Sequence, residues 1–466
     1  MPLDWTKLLS TRRRLESTKL PVDHRSEFER DYDRALFSTP VRRLQDKAQV
    51  FPLESNDSIR TRLTHSLEVS SIARILGYYC APFILASAGL PATHRRDIEL
   101  LCQTCGLLHD VGNPPFGHAG EKAIAGWFKE LLRANPRIEE HIRGDSSDPL
   151  GEQRVKDFAD FDGNSQTFRI LTKLQLVDNY AGLNLTFATL ATLLKYTAPS
   201  HQIDKGTARS KKHGYFFSEN TIIAEVRDET GLGTFRHPLT YLVEAADDIA
   251  YAVVDIEDAL KKGVIQWQLL GTPEFAAIHE YKKTAEETVA GSQAVERLNV
   301  SSREHAYAAR LRSILITELV ASVVRAFETH YPLIMDGTMV SALEKCCDRN
   351  DLFDACKQVT CRYVYFAKET LKLEIMGKKV VSDLLQLFWE GVEGYDHKAG
   401  TYHFPNKVWE MLSLNYRHVF EHGVNPPFKK GGELDYHLAL HLVADHVCGM
   451  TDTFACQLHR ELFNAS

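Results

Sequence analysis

Long apolar runs, alternating patterns and an excess of positive charge are all missing from this 466-residue chain, and each absence removes a class of function. The first residues, Met1-Pro2-Leu3-Asp4-Trp5 with Arg12-Arg13-Arg14 behind them, hold no apolar stretch of the kind that leads a secreted chain, and no segment approaches bilayer-spanning length. A cytoplasmic protein with no membrane partner is expected. A net charge of −7 leaves no global basic footprint for nucleic acid. Local basic clusters, Arg12-Arg13-Arg14 and Phe428-Lys429-Lys430-Gly431-Gly432, read as solvated or as contacts for a polyanion. No internal repeat or low-complexity segment stands out. Nine cysteines, an odd count without an export signal, read as reduced thiols. Cys102 and Cys105 have CxxC spacing but lie in an apolar helical run with no second pair at zinc spacing, so they read as core packing.

What is present is helical. Residues 65–80, 94–109, 119–133, 186–196, 219–230, 238–261 and 304–329 carry apolar side chains three and four apart. Strand-like stretches are short and isolated, such as Tyr215-Phe216-Phe217. Residues 143–165, rich in Gly, Asp and Ser, and 198–214, rich in Lys, Gly and His, read as loops. The fold class expected is all-α, with at most minor β-hairpins. With 44% hydrophobic residues the chain can bury one large core or two fused ones.

The chemistry concentrates in Leu107-Leu108-His109-Asp110-Val111-Gly112-Asn113-Pro114-Pro115-Phe116-Gly117-His118-Ala119-Gly120-Glu121. An apolar segment delivers a His-Asp pair into a Gly/Pro turn that ends on another His and an acid. Adjacent His and Asp can bind a metal, with His118 and Glu121 left for proton chemistry. One imidazole and one carboxylate rarely hold a divalent ion, because useful sites take three or four N/O ligands. Two other segments can supply the rest. In Arg60-Thr61-Arg62-Leu63-Thr64-His65, Thr64 is placed to cap a helix whose first turn carries His65. In the helical stretch Val243 to Asp255, residues Asp247, Tyr251 and Asp255 stand at i, i+4 and i+8 and share one polar face. Singly, each element is ordinary; jointly, in the order His, His-Asp, Asp, they are not.

That order resembles the HD phosphohydrolase superfamily. The strings Arg-Thr-Arg-x-Thr-His-Ser-x-Glu-Val, His-Asp-x-Gly-Asn-Pro-Pro-Phe-Gly-His-x-Gly-Glu and Glu-Ala-Ala-Asp-Asp-Ile-Ala-Tyr are similar to the bacterial deoxyguanosinetriphosphate triphosphohydrolases, the dGTPases. The match runs from Arg42-Arg43-Leu44-Gln45 through Asn184-Leu185-Thr186 and Leu194-Lys195-Tyr196 to Gly449-Met450-Thr451-Asp452, and is weakest at 134–165 and 262–303. It implies one dGTPase-like unit over 1–466, with an HD catalytic core over about 40–265 and a C-terminal helical region over about 266–466.

The resemblance also implies roles. His65, His109, Asp110 and Asp247 become ligands of one divalent ion, and such a mixed N/O set suits Mn, Mg, Co, Ni or Fe without selecting among them. Asp247 is preferred to Asp248 because it shares a face with Tyr251 and Asp255. Attack at the α-phosphate of dGTP, or of other dNTPs, would release a deoxynucleoside and tripolyphosphate, and the sugar 5′-oxygen would need a proton. His118, oriented by Glu121 three residues on, suits a general acid; a nucleophilic role for His118 stays open. Arg62, Lys195 beside Tyr196, and Lys212 or its neighbour Lys211 would contact the triphosphate. Gln49, Val50, Tyr251 and Asp255, with Asn184 close by, would hold the deoxyribose, the Tyr251 ring filling the place of a 2′-hydroxyl. Guanine readers are expected around Asn415-Tyr416-Arg417-His418. Homo-oligomers, often hexamers, a dNTP effector and single-stranded DNA are the partners the family brings. Two other readings stand beside the first: an HD phosphohydrolase of another nucleotide, and a single-stranded-DNA-binding protein with a secondary HD site.

Overall fold

The computed structural model describes residues 2–16, 23–51, 53, 56–175, 181–291, 299–365, 368–396, 398–399, 402–422 and 434–463. Among them the protein is all-α, with β pairing limited to isolated bridges at Arg13 and Thr186, Ala48 and Thr61, and Ala198 and His213. Tyr215-Phe216-Phe217 therefore forms no strand. Phe216 instead buries its ring against Phe161 and His441, and a short 3-10 turn, Phe217–Glu219, follows.

Helix α1 (Arg62–Ala88) starts at a reciprocal cap. Thr61 Oγ1 accepts from Thr64 N while Thr64 Oγ1 accepts from Thr61 N. The N-cap is thus Thr61 rather than Thr64, and Arg62 begins the helix. Gly89, at φ +65°, closes it. His65, Val69, Ile72, Leu76 and Cys80 form its buried stripe. By length and composition α1 is apolar enough to cross a bilayer, a property the sequence reading had not credited to any segment; here it is a core helix, more than half buried. Helix α2 (His94–Leu108) packs along it and hands the chain directly to His109.

The two helices cross closely because glycines stand at the crossing. A Cβ on Gly106 of α2 would lie 2.8 Å from Ser70 Cα of α1, and one on Gly77 would lie 3.2 Å from Cys102 Sγ. Cys102 and Cys105 are buried free thiols in this packing, as expected.

After the turn at residues 110–116 comes α3 (Gly117–Ala134), and further along the chain α4 (Pro238–Lys261), which is buried over most of its length against α1 and α2. α5 (Val300–Met335) and α6 (Asn350–Val359) cover α4 from the other side. α7 (Lys368–Glu393) lies on α3, and α8 (Tyr436–Cys448) and α9 (Asp452–Phe463) lie on α7. The expected helices all occur; four keep their bounds within two residues, while 65–80 runs on to Ala88, 304–329 extends to Val300–Met335, and 186–196 stops at Leu193, ahead of Lys195. The expected loop at 143–165 is overturned in part, because Gly151–Ala159 is a helix. Val155 and Phe158, three apart, give it an apolar stripe narrow enough to be lost among polar neighbours.

The crossing yields a prediction. Gly106→Ala should lower unfolding free energy by about 1–3 kcal/mol, since the backbone of Ser70 has nowhere to go. Gly126→Ala, in open space on α3, should be neutral or stabilising by about 0.5–1 kcal/mol. Equal urea midpoints for the two variants would refute the close approach.

Candidate active site

Three elements bring His65, His109 and Asp247 together. His65 lies in the first turn of α1, His109 follows the last turn of α2, and Asp247 projects from the middle of α4. Asp247 Oδ1 is 3.2 Å from His65 Nε2 and 3.5 Å from His109 Nε2, and a ligand atom from each of the three lies within 4.8 Å of the others. His109 Nδ1 donates to the Gly106 carbonyl at 2.7 Å, so Nε2 is the nitrogen that bears the lone pair when the ring is neutral. That Nε2 is buried without a hydrogen-bond partner. Two imidazoles and a carboxylate with an orphaned nitrogen between them fit a divalent ion.

Asp110 stands at the edge of this trio. Its Oδ1 is 3.6 Å from His109 Nε2, but Arg62 Nη1 donates to Oδ2 at 2.5 Å and Asn113 Nδ2 donates to Oδ1 at 2.5 Å. Of the adjacent acids on α4, Asp247 joins the histidines, whereas Asp248 accepts from Lys357 of α6 at 3.2 Å. Burial favours the neutral form of His109, yet the carboxylates of Asp110 and Asp247 override it and raise its pKa to about 9. Burial pushes Asp247 upward too, and the imidazoles of His109 and His65 reverse this, holding it well below the usual carboxylate range.

A cavity of about 570 Å³ opens over His109 and Asp247, while His65 is fully buried and does not line it. Arg62, Lys195, Lys211 and Lys212 line it. Lys195 Nζ lies 3.7 Å from Asp247 and 3.8 Å from Glu244, an acid also held by Arg236 at 2.7 Å. Tyr196 is buried in the same wall. Lys212 donates to Asp162 at 2.5 Å, while Lys211 has no carboxylate partner among the described residues. Opposite them, His118 Nδ1 bonds Glu121 Oε2 at 2.7 Å, and Glu121 Oε1 accepts from Gly163 N at 2.8 Å. The imidazole itself is 79% exposed, open to a ligand.

The HD-domain profile matches residues 62–148. The chain is 34% identical to a deoxyguanosinetriphosphate triphosphohydrolase-like protein of Listeria monocytogenes, and 34% identical to one of Synechocystis. It is 30% identical to the deoxyguanosinetriphosphate triphosphohydrolase of Klebsiella pneumoniae; in all three comparisons 99% of both chains is covered. The chain belongs to the dGTPase family. It is an HD-superfamily phosphohydrolase.

Other residues expected from dGTPase resemblance divide. Gln49 and Val50 line the cavity, and Gln49 Oε1 is buried without a partner. Tyr251 lines it as well, its ring stacked on Tyr365 with centroids 5.8 Å apart. Asp255 sits behind that pair, accepting from Tyr365 Oη at 2.7 Å; burial pushes its pKa up to about 7. Asn184 is not brought to the cavity. Its amide donates to the Leu15 carbonyl at 3.0 Å and accepts from Leu15 N at 3.2 Å, so it anchors the N-terminal segment. Asn415, Arg417 and His418 line a separate depression rather than this cavity. Arg12, Arg13 and Arg14 pair with Glu229, with Glu27 and Asp31, and with Glu225; Arg13 is buried in its pairs, whereas the Arg12 side chain stays 74% exposed to solvent. The Phe428–Gly432 cluster lies outside the described residues.

Sequence reasoning missed the support of the catalytic turn. Phe116, at φ +63°, precedes Gly117 at φ +54°, where Arg62 approaches within 2.5 Å of a would-be Cβ. Asp452, first residue of α9, holds this turn. Its Oδ1 accepts from Phe116 N at 2.9 Å and its Oδ2 from Ala48 N at 3.0 Å. Beside it the buried Lys47 Nζ donates to the carbonyls of Asn113 at 2.6 Å and Cys448 at 2.8 Å, and burial lowers its pKa to about 8. The Phe116 ring rests on Gly377 of α7, where a Cβ would come within 2.5 Å. The available signal was the motif Gly449-Met450-Thr451-Asp452, to which the sequence reading gave no role.

Asp452→Ala leaves two backbone N–H groups without acceptors. It should cost about 2–4 kcal/mol of stability in urea unfolding. A change under about 0.5 kcal/mol would show that the turn stands without it.

Proposed function

We propose that the protein hydrolyses dGTP, and other dNTPs more slowly, at the α-phosphate to give a deoxynucleoside and tripolyphosphate. The observation that supports this most is that one cavity is lined by His109 and Asp247 of the trio, by five cationic side chains and by the Gln49 and Tyr251 wall. In this reading His65, His109 and Asp247, with Asp110 as fourth ligand, hold one divalent ion. When bound, that ion would acidify water and offset charge developing on phosphorus.

The remaining work falls to side chains. Arg62, Lys195 and Lys212 bind and orient the triphosphate. Tyr196 packs beside Lys195 in that wall. His118 Nε2 delivers a proton to the sugar 5′-oxygen, a poor leaving group without one, while Glu121 fixes the ring through Nδ1. Gln49 and Asp255 bond the 3′-hydroxyl, Val50 packs on the ring, and Tyr251 takes the space of a 2′-hydroxyl. Free thiols throughout fit a cytoplasmic setting.

Product analysis tests the reading. With Mn and each dNTP, the purified protein should release tripolyphosphate fastest from dGTP, and release of pyrophosphate or orthophosphate would refute it. His109→Ala or Asp247→Ala should lose metal and activity together, whereas His118→Ala should keep metal and slow turnover about 100-fold or more. Full turnover in any of the three would overturn its assigned role. Metal binding must also displace the proton that His109 carries below about pH 9. Affinity should therefore tighten as pH rises from about 6 to 9, by up to about tenfold per unit. A flat titration profile over that range would remove His109 from the ligand set.

A further inference from the structure

Beyond His118 the cavity continues. A second hollow of about 610 Å³ shares His118, Glu121, Lys122, Lys211 and Lys212 with it, and its further walls carry Lys129, Lys156 and Lys205. Six lysines there face the carboxylates of Glu121, Asp160 and Asp162, a local reversal of charge in a chain of net −7. Those acids are already engaged. Glu121 bonds His118 and Gly163 N, Asp162 accepts from Lys212, and Asp160 lies 3.5 Å from Lys129. Lys156 pairs with Glu152 at 2.8 Å. Lys122, Lys205 and Lys211 have no carboxylate within 4 Å among the described residues, so the hollow holds uncompensated positive charge along its length.

The shape of the lining restricts the ligand. A single strand of nucleic acid binds by phosphate contacts together with bases stacked on aromatic rings. Apart from histidines, the only ring in this wall is Phe161, which is 5% exposed and already stacked on Phe216. Of its imidazoles His213 is buried, which leaves the rings of His118 and His201 against six lysines, so the wall offers charge far more than stacking. A linear anion with phosphates and no bases is the match. Lys211 and Lys212 stand at the junction, and Lys212 is the lysine assigned above to the substrate's triphosphate. A phosphate chain leaving the catalytic cavity at that end enters the hollow.

We propose that this hollow is a subsite for linear polyphosphate, which receives the tripolyphosphate released from dNTP and holds longer inorganic chains as inhibitors of turnover. Its role in product release rests on the function proposed above; its binding of polyphosphate does not. The test is calorimetric binding of inorganic tripolyphosphate, long-chain polyphosphate, orthophosphate and a deoxythymidine oligomer to the full-length metal-loaded protein at fixed free metal. Polyphosphate should bind more tightly than orthophosphate and than the oligomer, with affinity falling as salt rises. The double variant Lys129→Gln/Lys205→Gln should bind polyphosphate about tenfold more weakly, and be inhibited correspondingly less, with kcat/KM for dGTP unchanged within about twofold. Lys205→Gln alone, at an exposed loop position, should lose about threefold and guards against misfolding of the double variant. Undiminished polyphosphate binding in both variants, or a preference for the oligomer or for orthophosphate, overturns the proposal. Failure to form tripolyphosphate from any dNTP overturns the function instead, and leaves the binding result standing.

Discussion

The separation of α1 from α2 governs everything at the centre of this protein. With Gly106 and Gly77 at the crossing, the backbones come close enough for His65 on one helix and His109 after the other to share a single carboxylate. The carbonyl of Gly106 also fixes the His109 ring, so one residue sets both the distance between the helices and the direction of the nitrogen that faces Asp247. A side chain there would act on both at once. Asp247 reaches the pair from α4, about 140 residues along the chain, which is why α4 is buried almost from end to end.

Such a centre keeps most of its buried charges by pairing them, Asp255 and Lys47 apart. Arg62 answers Asp110, Arg236 and Lys195 answer Glu244, and Lys357 answers Asp248 and Glu344. Losing one member of a buried pair typically costs about 3–5 kcal/mol, more than the pair contributes over an apolar substitute. The arrangement therefore serves position more than stability. It holds carboxylates and cations a few ångströms apart around a space in which a highly charged ligand can exchange partners with them.

Much of this was legible in the sequence, because helices announce themselves by periodicity and the ligand-bearing residues sit at helix ends or on one helical face. His65, His109 and Asp247 follow from that logic, as does the His118 and Glu121 pair three residues apart. What escaped was set by contacts between distant segments. Thr61 rather than Thr64 caps α1, a difference of side-chain geometry that composition does not carry. Asn184 looked like a site residue by its neighbours in sequence, yet its amide is claimed by Leu15. Tyr365 is unremarkable in its local string and Asp452 ends a motif whose role the sequence does not give, because their partners, Asp255 and Phe116, lie more than 100 and more than 300 residues away.

The grip of Asp452 on the catalytic turn bears on when the site can exist. A chain emerging from the ribosome has His65 and His109 early and Asp247 later, but the acceptor for Phe116 N follows it by more than 300 residues. Until then the turn that presents His118 lacks its clamp, although the α7 seat for the Phe116 ring is already in the chain. Synthesis thus supplies the groups around the cavity before the residue that holds their turn. A chain stopped before Asp452 keeps His65, His109 and Asp247 but lacks the acceptor that holds the turn.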